Sequence, residues 1–120
     1  MKSNDLARGF LKHLSPAGIV EQRYLLLTTQ EMVLGREPQS GIVVDPFLYG
    51  SVSRQRAKIK PISSSSGLNW QVCDLGSANG TYVNSQRLQG CQTLRVGDRI
   101  ALGEDGPEFI FECHSLTVHP

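Results

Sequence analysis

The chain has 120 residues, a length that suits one domain and leaves little room for a second. Hydrophobic residues make up 39% of it, enough for a core, and charged residues 19%, below the ~25% usual in soluble domains, so it is not a disordered charged tail. A formal net charge of +1 argues against bulk binding to nucleic acid or an anionic membrane, both of which draw on a strongly basic face.

Residues 1–20 differ in texture from the rest. Leu6, Phe10 and Leu14 recur at intervals of four with Leu11 beside them, which predicts either a frayed tail or a short amphipathic helix, broken at Ser15-Pro16-Ala17-Gly18. From there on the sequence reads as β. Tyr24 to Thr29, Glu31 to Gly35 and Ile42 to Val44 are short β-prone runs, the last closed by Asp45-Pro46. Ala57 to Pro61 alternates small or apolar residues with lysines, as a half-exposed strand does. Ser63 to Gly67 reads as a flexible loop, and Asn69 to Leu75 as a strand with Trp70, Val72 and Asp74 on one face. Thr81 to Val83, a tight turn at Asn84-Ser85, Gln86 to Leu88, Arg99 to Leu102 and Glu108 to Cys113 complete the series. Short strands with turn signals every ~8–12 residues indicate an all-β sandwich or barrel. The domain is expected over 21–114, with a C-terminal tail over 115–120.

Cys73, Cys91 and Cys113 form no C-x-x-C pair and fit no zinc spacing. Their odd number argues against a disulfide framework. They read as small apolar fillers in a reducing compartment. Met1 to Val20 has no apolar stretch of signal-peptide length, and no segment approaches the ~20 residues of a membrane span, so a soluble, cytoplasmic protein is expected. His13, His114 and His119 lie in or near the tails without a carboxylate pattern. No Walker-type loop, nucleophile elbow or paired-carboxylate set is present, so neither catalysis nor a metal or other cofactor is expected.

Three polar stretches fall between strands: Leu34-Gly35-Arg36, Val52 to Ala57, and Asp74 to Asn84. They hold the parts of an oxyanion site. Arg36 is a planar, permanently charged fork suited to bidentate phosphate contact, and Arg54 can add a second cation. Ser53 is a short hydroxyl donor, and Asn79 an amide able to grip both N–H and C=O of a peptide backbone. Asn79-Gly80 also reads, more plainly, as a hairpin turn.

Gly35-Arg36, Ser53-Arg54-Gln55-Arg56, Asp74 to Thr81 with Asn84, and Leu94 to Gly103, in this order, resemble the forkhead-associated (FHA) domain family over most of the chain. The resemblance implies a β-sandwich of about eleven strands with phosphothreonine-binding loops at one end. It implies that Arg36 and Ser53 contact the phosphate, that Arg54 assists, and that Asn79 bonds the peptide main chain. Gly35, Gly80, Thr81 and Asn84 would shape or brace the loops. The partner implied is a threonine-phosphorylated protein or peptide, bound by an adaptor in Ser/Thr kinase signalling. Neither nucleic acid nor membrane is an expected partner.

Two positions depart from the family pattern. Arg56 stands where the family's serine motif carries a bracing histidine. An arginine accepts no hydrogen bond, so the bracing must differ. Ala78 stands where a hydroxyl often precedes the Asn-Gly, leaving Ser77 as the one that would compensate. Both departures favour the alternative, a phosphorylation-independent interaction module on the same fold.

Overall fold

The computed structural model describes residues 5–35, 42–43, 57–65, 67–104 and 106–117. Among them there is no helix. The strands are β1 (Asp5–Leu14), β2 (Val20–Leu25), β3 (Met32–Gly35), β4 (Ile42–Val43), β5 (Ala57–Ser64), β6 (Gly67–Asp74), β7 (Thr81–Val83), β8 (Gln86–Arg87), β9 (Cys91–Thr93), β10 (Arg99–Leu102) and β11 (Glu108–Thr117). They form a six-stranded sheet, β2-β1-β11-β10-β7-β8, and a five-stranded sheet, β4-β3-β5-β6-β9. All the described pairings are antiparallel except β3 with β4.

Alternation along the strands supplies the core. In β5, Ala57 and Ile59 are buried while Lys58 and Lys60 are half-exposed; in β6, Trp70 and Val72 point inward. Leu11, Phe109 and Phe111 of the six-stranded sheet belong to the same buried cluster as Leu34, Ile59, Trp70 and Val72 of the other. Trp70 joins the two. Its Nε1 donates to the Leu27 carbonyl at 3.1 Å, satisfying the one polar atom of a side chain only 1% exposed. Its indole lies against Gly9 of β1, where a Cβ would come within 3.1 Å of three ring carbons. An added Cβ there would have to push the indole by a few tenths of an ångström, so this glycine serves close approach rather than backbone freedom.

The N-terminal segment is neither frayed nor helical: Asp5 to Leu14 is a ten-residue strand. A four-residue apolar repeat is a multiple of the two-residue strand period, so Leu6, Phe10 and Leu14 fit a strand as well as a helix. The tertiary pairing decides between them. β1 runs beside β11 from Asp5↔Thr117 to Leu14↔Glu108, with β2 on its other edge. Leu11 is fully buried, and Phe10 is capped on the outer face by the Arg23 guanidinium, 4.8 Å from the ring centroid. The described strands therefore extend from Asp5 to Thr117: residues 5–14, 20 and 115–117 of the expected tails are strand, and residues 15–19 form the turn between β1 and β2.

Three further expectations are corrected. The strand expected from Tyr24 is β2, ending at Leu25. Leu26 then turns into the core, its N–H donating to the Gly9 carbonyl at 2.7 Å, with Leu25 and Leu27 exposed on either side. Much of the serine run belongs to strands, since Ser63 and Ser64 end β5 and Ser64 faces Gly67 across a tight hairpin. Finally, Cys73 and Cys91 are not separate fillers but a disulfide between β6 and β9. They sit directly opposite in the register, 4.1 Å apart at Cα, a pairing invisible until the two strands are adjacent. Cys113 is free and half-buried. Cysteine usage therefore gives no reason to assign a reducing compartment.

Candidate functional site

One end of the five-stranded sheet gathers the strand termini that matter. Leu34 pairs with Ala57, and Ala57 with Asp74, so β3 leaves the sheet, β5 enters it and β6 leaves it at the same end. Gly35, the last residue of β3, is buried there. Arg36, Ser53, Arg54 and Arg56 lie outside the described residues.

The connection from β6 to β7, Asp74 to Thr81, is described in full. It is built on the Asp74 carboxylate. Oδ2 accepts the N–H of Gly76 and of Ser77, each at 3.1 Å. Oδ1 accepts the Thr81 hydroxyl at 2.7 Å and the Ser77 hydroxyl in a short contact. Burial alone would push the Asp74 carboxyl up. The donors from Ser77, Thr81 and Gly76 outweigh it and hold the group below the usual carboxylate range. Thr81 is fully buried, so its hydroxyl needs this acceptor. Gly76 and Gly80 turn the chain at φ of 75° and 79°. Between these turns Ala78 and Asn79 are exposed. The Gly80 carbonyl accepts the Gly103 N–H at 2.8 Å, anchoring the loop to the end of β10.

The Thr81 hydroxyl thus ties the end of the loop to its start at Asp74, and the chain turns at Gly80. The Ser77 hydroxyl, expected to compensate for the one missing at Ala78, donates to Asp74 in this structure. Asn84 does not belong to this loop. It lies at the far end of β7, with φ of 51° in the turn to β8. Its Nδ2 donates to Asp98 at 2.9 Å and its Oδ1 accepts the Arg99 N–H at 3.0 Å, fixing that hairpin to the turn before β10.

Two residues that shape this loop lie outside the expected set. Asp74 reads from sequence as a strand residue on the face of Trp70 and Val72, although a following Gly76, Ser77 and Thr81 are the donors an Asx-type turn collects. Arg87 gave no local signal at all. Its guanidinium lies over Gly80, so that a Cβ on that glycine would meet Nε at 2.7 Å and Cζ at 2.9 Å. Among the described residues no group of His, Cys, Asp and Glu is arranged to hold a metal, and no helix is long and apolar enough to cross a membrane.

Two packed sheets with a carboxylate-organised loop presenting an exposed asparagine at one end define a β-sandwich recognition module. Comparison with known proteins identifies the family: the FHA domain profile matches residues 32–103, and the chain belongs to the FHA domain family. The oxoglutarate dehydrogenase inhibitor of Corynebacterium efficiens is 37% identical over 79 residues, covering 66% of this chain and 50% of that protein. The chain thus spans about half the length of the curated relatives it first matches. Among solved structures, Mycobacterium tuberculosis EmbR in complex with a low-affinity phosphopeptide superposes with a TM-score of 0.70 at 30% identity, covering 100% of this chain and 28% of that one. An FHA domain studied for phosphothreonine-dependent interactions superposes with a TM-score of 0.68 at 25% identity, covering 94% and 98%. The chain is similar to regulatory binding modules, and no catalytic family is indicated.

Proposed function

We propose that this chain binds threonine-phosphorylated peptides and acts as an adaptor in Ser/Thr kinase signalling, as a cytoplasmic module without catalytic activity of its own. The observation that carries this reading is the Asp74-braced loop, which holds Asn79 exposed at the end of the sheet where β3 stops and β5 starts. Arg36 is covalently next to Gly35, and Ser53 to Arg56 immediately precede Ala57. In this reading Arg36 takes two phosphate oxygens through its fork and Ser53 donates its hydroxyl. Arg54 adds charge against a group of about −1.5 to −2. Asn79 bonds the peptide backbone beside the phosphothreonine, and no bond is made or broken. EmbR, with its bound phosphopeptide, supports the same mode of recognition.

The test is affinity for an oriented phosphothreonine peptide library against its unphosphorylated counterpart. Arg36→Ala, Ser53→Ala and Asn79→Ala serve as site variants. Losing a hydrogen bond to a charged group costs about 1.5–3 kcal/mol, so Arg36→Ala should weaken binding at least about tenfold. Equal binding of phosphorylated and unphosphorylated peptides would sink the reading.

The commitment of the Ser77 hydroxyl to Asp74, together with the absence of one at Ala78, favours a second reading. In it, partner binding is independent of phosphorylation and uses another face, and Arg36→Ala leaves it intact.

A further inference from the structure

Gly80 is buried although it follows the exposed Ala78 and Asn79. Part of its cover is the side chain of Arg87. In the β7–β8 hairpin Arg87 pairs with Tyr82, two residues beyond Gly80, and the Leu88 N–H donates to the Thr81 carbonyl at 2.7 Å. Cross-strand partners share a face, and so do residues two apart on one strand. Arg87 therefore reaches back along that face and lays its guanidinium on Gly80, with Nη2 3.2 Å from where a Cβ would be. A side chain at position 80 would displace it.

Lys12, Arg23, Lys58 and Arg99 each face a glutamate, but Arg87 has no ion-pair partner among the described residues and is exposed. One guanidinium face rests on the glycine, while its N–H edges can still bond an anion. It stands one residue along from Asn79.

From this geometry, and resting on the peptide-binding reading above, we propose that Arg87 is a specificity residue. It selects peptides carrying a second anionic side chain near the phosphothreonine. An extended peptide advances ~3.3 Å per residue, so a backbone held at Asn79 brings a side chain within about three positions of the phosphothreonine into reach of Arg87. A carboxylate and a second phosphate share the required chemistry. Arg87 discriminates between peptides and is not one of the ligands of the phosphothreonine itself.

The experiment uses the full chain and fluorescence polarisation. One phosphothreonine peptide is varied to Glu, Gln, Lys or phosphoserine at each flanking position, against wild type, Arg87→Gln and Arg87→Glu. At one position wild type should prefer Glu to Gln by up to about fivefold at low salt, the scale of an exposed ion pair, and the preference should fade at high salt. Arg87→Gln should remove that preference, and Arg87→Glu should turn it toward Lys. A steeper gain for phosphoserine than for Glu would name a second phosphate as the anion read; the reverse would name a carboxylate. A purely structural Arg87 would instead lower affinity for the Glu and Gln peptides equally, which overturns the proposal. So does phosphorylation-dependent binding with no Glu or phosphoserine preference, which leaves the proposed function standing. Failure of every peptide to bind in a phosphorylation-dependent way overturns both.

Discussion

The hydroxyl of Thr81 donates to the carboxylate of Asp74 at 2.7 Å, tying the first residue of β7 to the last residue of β6. The two are seven positions apart, and the loop that presents Asn79 lies between them. Because Thr81 is fully buried, this bond is the means by which the core sets the shape of an exposed loop.

Thr81→Val keeps the side-chain shape and removes the donor. Loss of one hydrogen bond to a charged group should cost about 1.5–3 kcal/mol, read as a lower urea midpoint at an unchanged slope. Asp74→Ala should cost more, because it also strips the acceptor from Gly76 and Ser77. A midpoint for Asp74→Ala equal to that of wild type would contradict the bracing role.

Stability should fall toward acid in two stages. His13 stacks on Phe109 at 4.9 Å between ring centroids, and burial, against a smaller opposing pull from Glu21, lowers its pKa from the ordinary value of 6.5. The unfolded chain thus takes up this proton first, and stability declines as pH drops from about 6.5 through the lower folded value. Asp74 is also depressed, from an ordinary value of 3.8, so its stabilisation is full above that pH and is lost as pH falls through its folded pKa. Urea midpoints measured across this range should show His13→Phe abolishing the upper stage. Asp74→Asn should make the lower one shallower. Glu112, held low chiefly by the Lys12 hydrogen bond, should supply part of what remains.

The Cys73–Cys91 disulfide closes a loop of 18 residues and joins β9, at the edge of its sheet, to β6 beside the Asp74 loop. Chain entropy alone predicts that reduction costs about 3 kcal/mol. Urea denaturation with and without a dithiol reductant should show that difference. Cys91→Ser should reproduce it and be insensitive to reductant, and Cys113→Ser should behave as wild type. Equal midpoints with and without reductant would show that the bond contributes nothing.

Gly80→Ala should be destabilising on two counts, the positive φ of 79° and the collision with Arg87. Left-handed backbone in a non-glycine residue costs about 1–3 kcal/mol. The second count should be relieved in Gly80→Ala/Arg87→Ala, leaving only the backbone cost. The double-mutant cycle should give a coupling energy of about 0.5–3 kcal/mol. Strict additivity would mean that Arg87 does not rest on Gly80.

Strand alternation, turn glycines and short loop motifs are local properties that neighbouring residues carry together, so the all-β class and the resemblance to the FHA family are legible in the sequence alone. Trp70 and Val72 on one face and the turn at Gly80 were legible for that reason. The remaining features depend on which strands become neighbours. Asp5 to Leu14 is a strand because β11 and β2 flank it, and its four-residue repeat was compatible with either periodicity. Cys73 meets Cys91 only through the β6–β9 register, and Arg87 meets Gly80 only through the β7–β8 hairpin. Asn84 was legible as a turn residue, but three residues of β7 carry it to the opposite end from the loop it was expected to brace. Local sequence sets the conformation of each segment. Long-range pairing sets which side chains meet, and the inferences about the site rest on those meetings.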